Sequence, residues 1–198
     1  MKKLILLVAI CLTSNFYAQD FGIKAGVNYN TNGDATFSDI NNQINYVING
    51  AEAKTGYHGG IWLKSDFILG LYIRPELVYT QSKSEYLFEN VETDYNFKKL
   101  DVPVLVGKEL FGFANAFIGP SFQYIIEDDF SFSDVTTEDF DKFSVGMQMG
   151  FGVEFGNLGL DVRWERGLTD SESKFVNNNT SVTVDNRTNQ IIFGVSLK

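Results

Sequence analysis

The stretch "KFSVGMQMGFGVEF", residues 142–155, alternates apolar side chains with polar or small ones along its whole length. Phe143, Val145, Met147, Met149, Phe151, Val153 and Phe155 fall on one face; Ser144, Gly146, Gln148, Gly150, Gly152 and Glu154 fall on the other. A strand points successive side chains to opposite sides, so the pattern predicts a β-strand with one apolar face. A soluble barrel would turn the phenylalanines inward, whereas a membrane barrel would turn them out to lipid. That choice sets the meaning of the remaining sequence.

The same two-residue period returns in seven further segments, 21–30, 56–66, 69–80, 95–107, 112–126, 158–168 and 189–198, which with 142–155 make eight. Their connections alternate strictly between two kinds. Three are tight, at 66–68, 108–111 and 156–157, and four are long and polar, at 31–55, 81–94, 127–141 and 169–188. Short turns at one end and long loops at the other are the layout of an outer-membrane barrel. About ten residues at roughly 3.3 Å each, tilted about 40°, reach the height of its apolar band, about 25 Å. The expected fold is an all-β, eight-stranded antiparallel up-and-down transmembrane barrel. It has short periplasmic turns, four long extracellular loops and a lumen filled by side chains.

Two features assign the faces. Lys24, Lys64, Arg74, Glu76, Lys99, Asp101, Glu154, Asp161, Arg163, Glu165 and Lys198 all lie opposite the apolar positions, and their charges nearly cancel in a strongly acidic chain. A closed lumen demands that balance, because a buried unpaired charge is costly. Ten glycines, Gly22, Gly26, Gly60, Gly70, Gly119, Gly146, Gly150, Gly152, Gly159 and Gly194, share the charged side. Inside a narrow barrel they leave room for Trp62, Arg74 and Arg163. The apolar faces, including Ile23, Val27, Leu63, Leu77, Val104, Val162 and Phe193, then meet lipid. Aromatic residues gather near both segment ends, as membrane-interface girdles do. Tyr29, Tyr57, Tyr79, Tyr95, Tyr124, Phe143 and Trp164 mark the long-loop side; Phe21, Phe67, Phe111 and Phe155 mark the short turns.

The first residues read differently. Met1-Lys2-Lys3 is a basic start, Leu4 to Leu12 an apolar run too short to span a bilayer, and Thr13 to Gln19 a polar exit. Residues 1–19 are therefore expected to be a secretory signal peptide, cut after Ala18 or Gln19, with 20–198 the barrel domain. Ile10 before Cys11 does not suit a lipoprotein signal. Cys11 is the sole cysteine and leaves with the signal, so no disulfide or cysteine metal site is expected. Removing Lys2 and Lys3 takes the formal charge from −9 to −11, which argues against nucleic acid as a partner.

Several segments resemble the porin-family, PorT-like outer-membrane β-barrel proteins of Bacteroidetes. They are "FGIKAGVNYN", "YIRPELVYTQSK", "KLDVPVLVGKELF", "AFIGPSFQYII", "GFGVEFGNLGLDVRWERGLTD" and "NQIIFGVSLK", spanning Phe21 to the C-terminus. The resemblance implies an eight-stranded barrel in the outer membrane, inserted by the barrel assembly machinery. It implies no single activity. Many such barrels end in an aromatic residue, and this chain ends Ser196-Leu197-Lys198, so the assembly signal is expected either to be degenerate or to lie in Phe193 and Leu197. Pro75, Pro103 and Pro120 stand inside strands, where each removes a ladder hydrogen bond, and read as bulges or rim positions.

No catalytic, cofactor-binding or metal-ligating residues are expected, and no cofactor. His58 is the single histidine and reads as a hydrogen-bonding lumen filler, since no triad spacing accompanies it. The lumen charges Lys24, Lys64, Arg74, Glu76, Lys99, Asp101, Glu154, Asp161, Arg163 and Glu165 have two readings, a salt-bridge plug and a channel lining. The loop at 127–143 carries seven carboxylates, oxygen ligands of the kind divalent cations prefer, but without an EF-hand spacing, and it reads as a solvated rim ahead of a cation site. Its Phe130, Phe132 and Phe140 suggest a partner or headgroup contact. Lys98 and Arg166 fall outward at the long-loop rim, where cations can meet lipopolysaccharide phosphates. The expected role is structural or surface-interacting, non-enzymatic, with outer-membrane lipid, lipopolysaccharide and a protein at the loops as partners. The alternative is a small porin-like channel or a PorT-like accessory of protein secretion.

Overall fold

The computed structural model describes residues 19–31, 35–39, 45–48, 52–88, 91–130, 136–140, 142–169, 172–176, 180–185 and 189–198. The expected signal peptide, apart from Gln19, lies outside them. Eight strands close into an antiparallel barrel: β1 (Gln19–Thr31), β4 (Glu52–Asp66), β5 (Leu71–Phe88), β6 (Val91–Leu110), β7 (Ala114–Phe130), β9 (Phe143–Phe155), β10 (Leu158–Gly167) and β13 (Asn189–Leu197). Neighbours in sequence pair in space, and β1 closes the ring on β13, with Ile23 opposite Leu197. Each of the eight segments read from the sequence supplies one of these strands.

The opening stretch settles the faces. Phe151 is 71 % exposed, whereas Gly152 and Gln148 are buried. Tyr29, Tyr57, Tyr79, Tyr124, Phe143 and Trp164 are exposed toward the long connections, and Phe21, Phe67, Phe111 and Phe155 toward the short turns. Tyr95 lies in β6, its side chain outside the described set.

Glycine placement follows cross-strand register. Gly22 pairs with Trp62, Gly26 with His58, Gly107 with Tyr72, Gly150 with Phe117 and Gly194 with Asp161. A Cβ on Gly22 would meet the Trp62 ring at 2.7 Å, one on Gly150 the Phe117 ring at 2.9 Å, and one on Gly107 would overlap the Tyr72 ring. Each of these large inward side chains therefore lies over a glycine of the neighbouring strand.

The tight turns are local in origin. Gly156-Asn157 joins Phe155 to Leu158 with a positive φ only at the first central residue, the pattern of a type II′ hairpin turn. A short 3-10 turn at Ile68–Gly70 joins β4 to β5, and residues 111–113 join β6 to β7.

The long connections differ from polar loops. Residues 81–88 and 91–94 continue β5 and β6 as one ladder up to the Phe88–Val91 pair. The other three carry short strands: β2 (Ala35–Asp39) and β3 (Asn45–Ile48), β8 (Thr136–Phe140), and β11 (Glu172–Val176) and β12 (Thr180–Asp185). These form a second, five-stranded sheet in the order β3-β2-β12-β11-β8. The side chains of the acidic stretch 127–141 lie outside the described residues.

The prolines require a correction. Pro75, Pro103 and Pro120 sit within β5, β6 and β7, paired with Val104, Ser121 and Met147, and the register is the same on either side of each. They are neither bulges nor rim residues. The ladder instead skips residues 76–77 against 102–103 and 104–105 against 119–120. Three missing N–H donors are thereby gathered into one patch of wall. Register shifts occur elsewhere, between Lys98 and Lys99 and between Ala53 and Tyr57.

Candidate functional site

The lumen holds the chain's concentrated chemistry. Lys24, Lys64, Arg74, Glu76, Lys99, Asp101, Asp161, Arg163 and Glu165 are buried, and Glu154 is half-buried at the short-turn mouth. Five cations face five carboxylates, arranged in three layers along the barrel axis.

The middle layer centres on Arg163. Its Nη1 and Nη2 donate to Glu76 Oε2 and Oε1 at 2.9 and 3.0 Å. Its Nε and Nη2 donate to Asp161 at 2.5 and 3.2 Å, and Nη1 also reaches Gln148 Oε1 at 3.3 Å. All five guanidinium N–H groups are thus engaged, and the group also lies 4.9 Å from the centre of the Phe117 ring. Glu76 further accepts Lys24 Nζ at 2.8 Å and has Arg74 Nε at 3.0 Å. Charge-assisted, bidentate pairing of this kind is the strong form of hydrogen bonding.

The layer nearer the long connections centres on Glu165, which is 0 % exposed. It accepts Lys99 Nζ at 2.9 Å, Gln123 Nε2 at 2.9 Å and Gln190 Nε2 at 2.6 Å on one oxygen, and Gln148 Nε2 on the other. Lys99 also lies 3.2 Å from Asp101, which accepts Thr80 Oγ1 at 2.7 Å. Gln148 joins the two layers, since it donates to Glu165 and accepts from Arg163. The space between them, beside Lys24, His58 and Gln148, amounts to about 10 Å³, room for about one water.

The third layer closes the short-turn mouth. Lys64 Nζ meets Glu109 at 2.6 Å, Asp66 at 3.6 Å and Glu154 at 3.7 Å. Lys198 Nζ meets Asp20 at 2.8 Å and Glu154 at 3.3 Å, which ties β1 to the end of β13.

Of the residues singled out in the sequence, the ten lumen charges come together. His58 is buried with its Nδ1 2.6 Å from Asn28 Oδ1, so Nδ1 donates there. Lys98 and Arg166 face outward at the long-connection rim, on β6 and β10, away from the lumen set. The sequence reading gave no role to Gln123, Gln148 and Gln190, the neutral amides that complete the Glu165 shell. It also passed over the apolar cluster of Tyr72, Leu105 and Phe117 within the lumen. The two-residue period puts all six on the charged face, but nothing in an amide or an apolar residue marks it as a network partner.

A closed antiparallel ring of eight strands, apolar outside and filled by paired charges inside, defines the class of small outer-membrane β-barrels. The chain belongs to the family described as the outer membrane protein beta-barrel domain, whose model matches residues 17–173, and its location is the outer membrane. Solved structures agree on the fold. OprG from Pseudomonas aeruginosa superposes with a TM-score of 0.57 at 16% identity, covering 91% of this chain and 95% of that one. Neisserial surface protein A superposes with a TM-score of 0.53 at 14% identity, covering 92% and 99%. No curated protein matches the chain by sequence.

Proposed function

We propose that the protein is a non-conducting, non-enzymatic outer-membrane barrel whose long connections form a surface-interaction module. The observation that carries this reading is the pair of buried, hydrogen-bonded layers around Arg163 and Glu165, in which Arg163 reaches Glu76 across the barrel and Lys99 reaches Glu165. A continuous water path would need those hydrogen bonds to open. The second sheet, built from three of the four long connections, gives the module a folded body. On this reading the long connections are extracellular, and Lys98 and Arg166 meet headgroup phosphates, including those of lipopolysaccharide. The PorT-like motifs support a Bacteroidetes surface protein within the family.

Single cysteines introduced at Val182 in β12 and at Asn157 in a short turn test the orientation in intact cells. A membrane-impermeant thiol reagent is expected to label Val182→Cys and to spare Asn157→Cys. The reverse pattern would remove the surface role.

A further inference from the structure

The outer wall is not evenly convex. An open groove of about 620 Å³ crosses β1, β13, β10 and β9. Its rim is the outward row of cross-strand partners Val27, Phe193, Val162 and Phe151. Its floor is the backbone of the inward row beside them, where Gly26, Gly194 and Gly152 flank Asp161. The Asp161 carboxylate turns away to Arg163, so the side chains that border the groove are apolar.

The stagger of the ring gives the groove a slope. The rim row begins opposite Tyr57 on β4 and, followed on around the barrel, returns to β4 at Phe67, nearer the short turns. From Val27 to Phe151 the groove therefore descends from just beneath the Tyr29 and Tyr57 girdle toward the middle of the bilayer. Four strands about 4.8 Å apart make it about 15 Å long. One leaflet is comparable, at half of an apolar band about 25 Å tall.

Charge places a headgroup over the upper end. Arg166 stands on the outward face of β10, beyond Val162 and Trp164. It is exposed and, among the described residues, joins no ion pair. Its cross-strand neighbours Met147 and Asn189 are neutral. Lys98 is three strands away on β6. A phosphate held by the Arg166 guanidinium hangs its acyl chains directly above the groove.

We infer that the groove seats one acyl chain of lipopolysaccharide, with a phosphate of the same molecule on Arg166. The inference rests on the reading of the long connections as extracellular, which makes the leaflet beneath Tyr29 and Tyr57 the outer, lipopolysaccharide-bearing one. Val27, Phe193 and Val162 line the chain from the side, and Phe151 closes the lower end.

The test offers the full barrel, in detergent, equal amounts of lipopolysaccharide and phosphatidylethanolamine and reads the retained lipid by native mass spectrometry. The wild type is expected to retain lipopolysaccharide in preference. Arg166→Gln, and Val162→Trp, which fills the groove, are each expected to retain about tenfold less. Ile61→Trp, outward on β4 and away from the groove, is the control and is expected to match the wild type. Should Val162→Trp fail to fold, Val195→Phe fills the same groove. Retention that falls with Arg166→Gln but with neither groove variant would overturn the groove and leave the headgroup reading standing. Equal retention of the two lipids would overturn the inference. So would barrel dimers that Val162→Trp abolishes, since the occupant would then be a second copy. Thiol labelling of Val182→Cys and Asn157→Cys checks the orientation separately.

Discussion

Arg163 and Glu76 meet across the full width of the barrel. They stand on β10 and β5, four strands apart in either direction around the ring of eight, and 87 positions apart in sequence. Two parallel hydrogen bonds at 2.9 and 3.0 Å join them. The pair is a diametral strut, and Lys24, Arg74, Asp161 and Gln148 brace it from four other positions on the wall.

Glu76→Gln leaves Arg163, Lys24 and Arg74 without their common carboxylate. Breaking a buried ion pair from one side costs about 3–5 kcal/mol, and the variant is expected to lose stability in that range. Glu165→Gln is expected to lose less, because Lys99 keeps Asp101 at 3.2 Å and the glutamine shell can still hydrogen-bond an amide. Urea-dependent unfolding in lipid vesicles, followed by tryptophan fluorescence, gives the ordering. Equal losses would contradict the central place of Glu76.

Gly107→Ala drives a methyl group into the Tyr72 ring. Overpacking of this kind costs about 1–3 kcal/mol, and Tyr72→Leu in the same chain should recover part of it. Gly59→Ala is the control, since its Cβ meets only the Lys24 carbonyl at 3.9 Å. That change is expected to stay within about 0.5 kcal/mol. The same unfolding assay checks both.

Val162 lies at the middle of β10 and faces outward. Val162→Arg puts a charge against the hydrocarbon, and about 2–4 kcal/mol of folding stability in a bilayer is expected to be lost. The loss should shrink toward the rim, for instance at Leu158. A uniform loss along the strand would mean that the exposed face does not sit in lipid as described.

Lys198 secures the seam where β1 closes on β13. Burial draws its ammonium down, but its hydrogen bonds to Asp20 and Glu154 outweigh that and raise it above the usual 10.5. A folded value above the unfolded one stabilises fully below pH 10.5, and the contribution is lost as pH rises through the folded value. Because the pair is solvent-exposed in part, Lys198→Met is expected to cost no more than about 1 kcal/mol at neutral pH. The gap between wild type and variant should close only in the alkaline range above 10.5, which paired melts at neutral and alkaline pH would register.

Which side chains point inward was legible from the sequence, and which of them meet was not. The two-residue period placed Arg163 and Glu76 on the lumen face correctly, because parity is a local property of a strand. Their pairing depends on ring closure and stagger, which no local pattern encodes. The Glu165 shell was hidden for a second reason: Gln123, Gln148 and Gln190 carry no charge to be balanced. The strands of the second sheet are only four to six residues long and sit among Asn, Thr and Asp. The alternation of Val182 and Val184 in "TSVTVD" was their one visible signal. The prolines misled because the usual local remedy for a lost N–H is a bulge, whereas this wall leaves ladder bonds unmade across three adjacent strands.

Single-protein conductance in a planar bilayer tests the closed lumen most directly. The wild type is expected to insert without steady unit conductance, and Arg163→Ala with Glu76→Ala, which removes the strut, to show frequent openings. Steady conductance through the wild type, unchanged when the strut is removed, would contradict a lumen closed by Arg163 and Glu76.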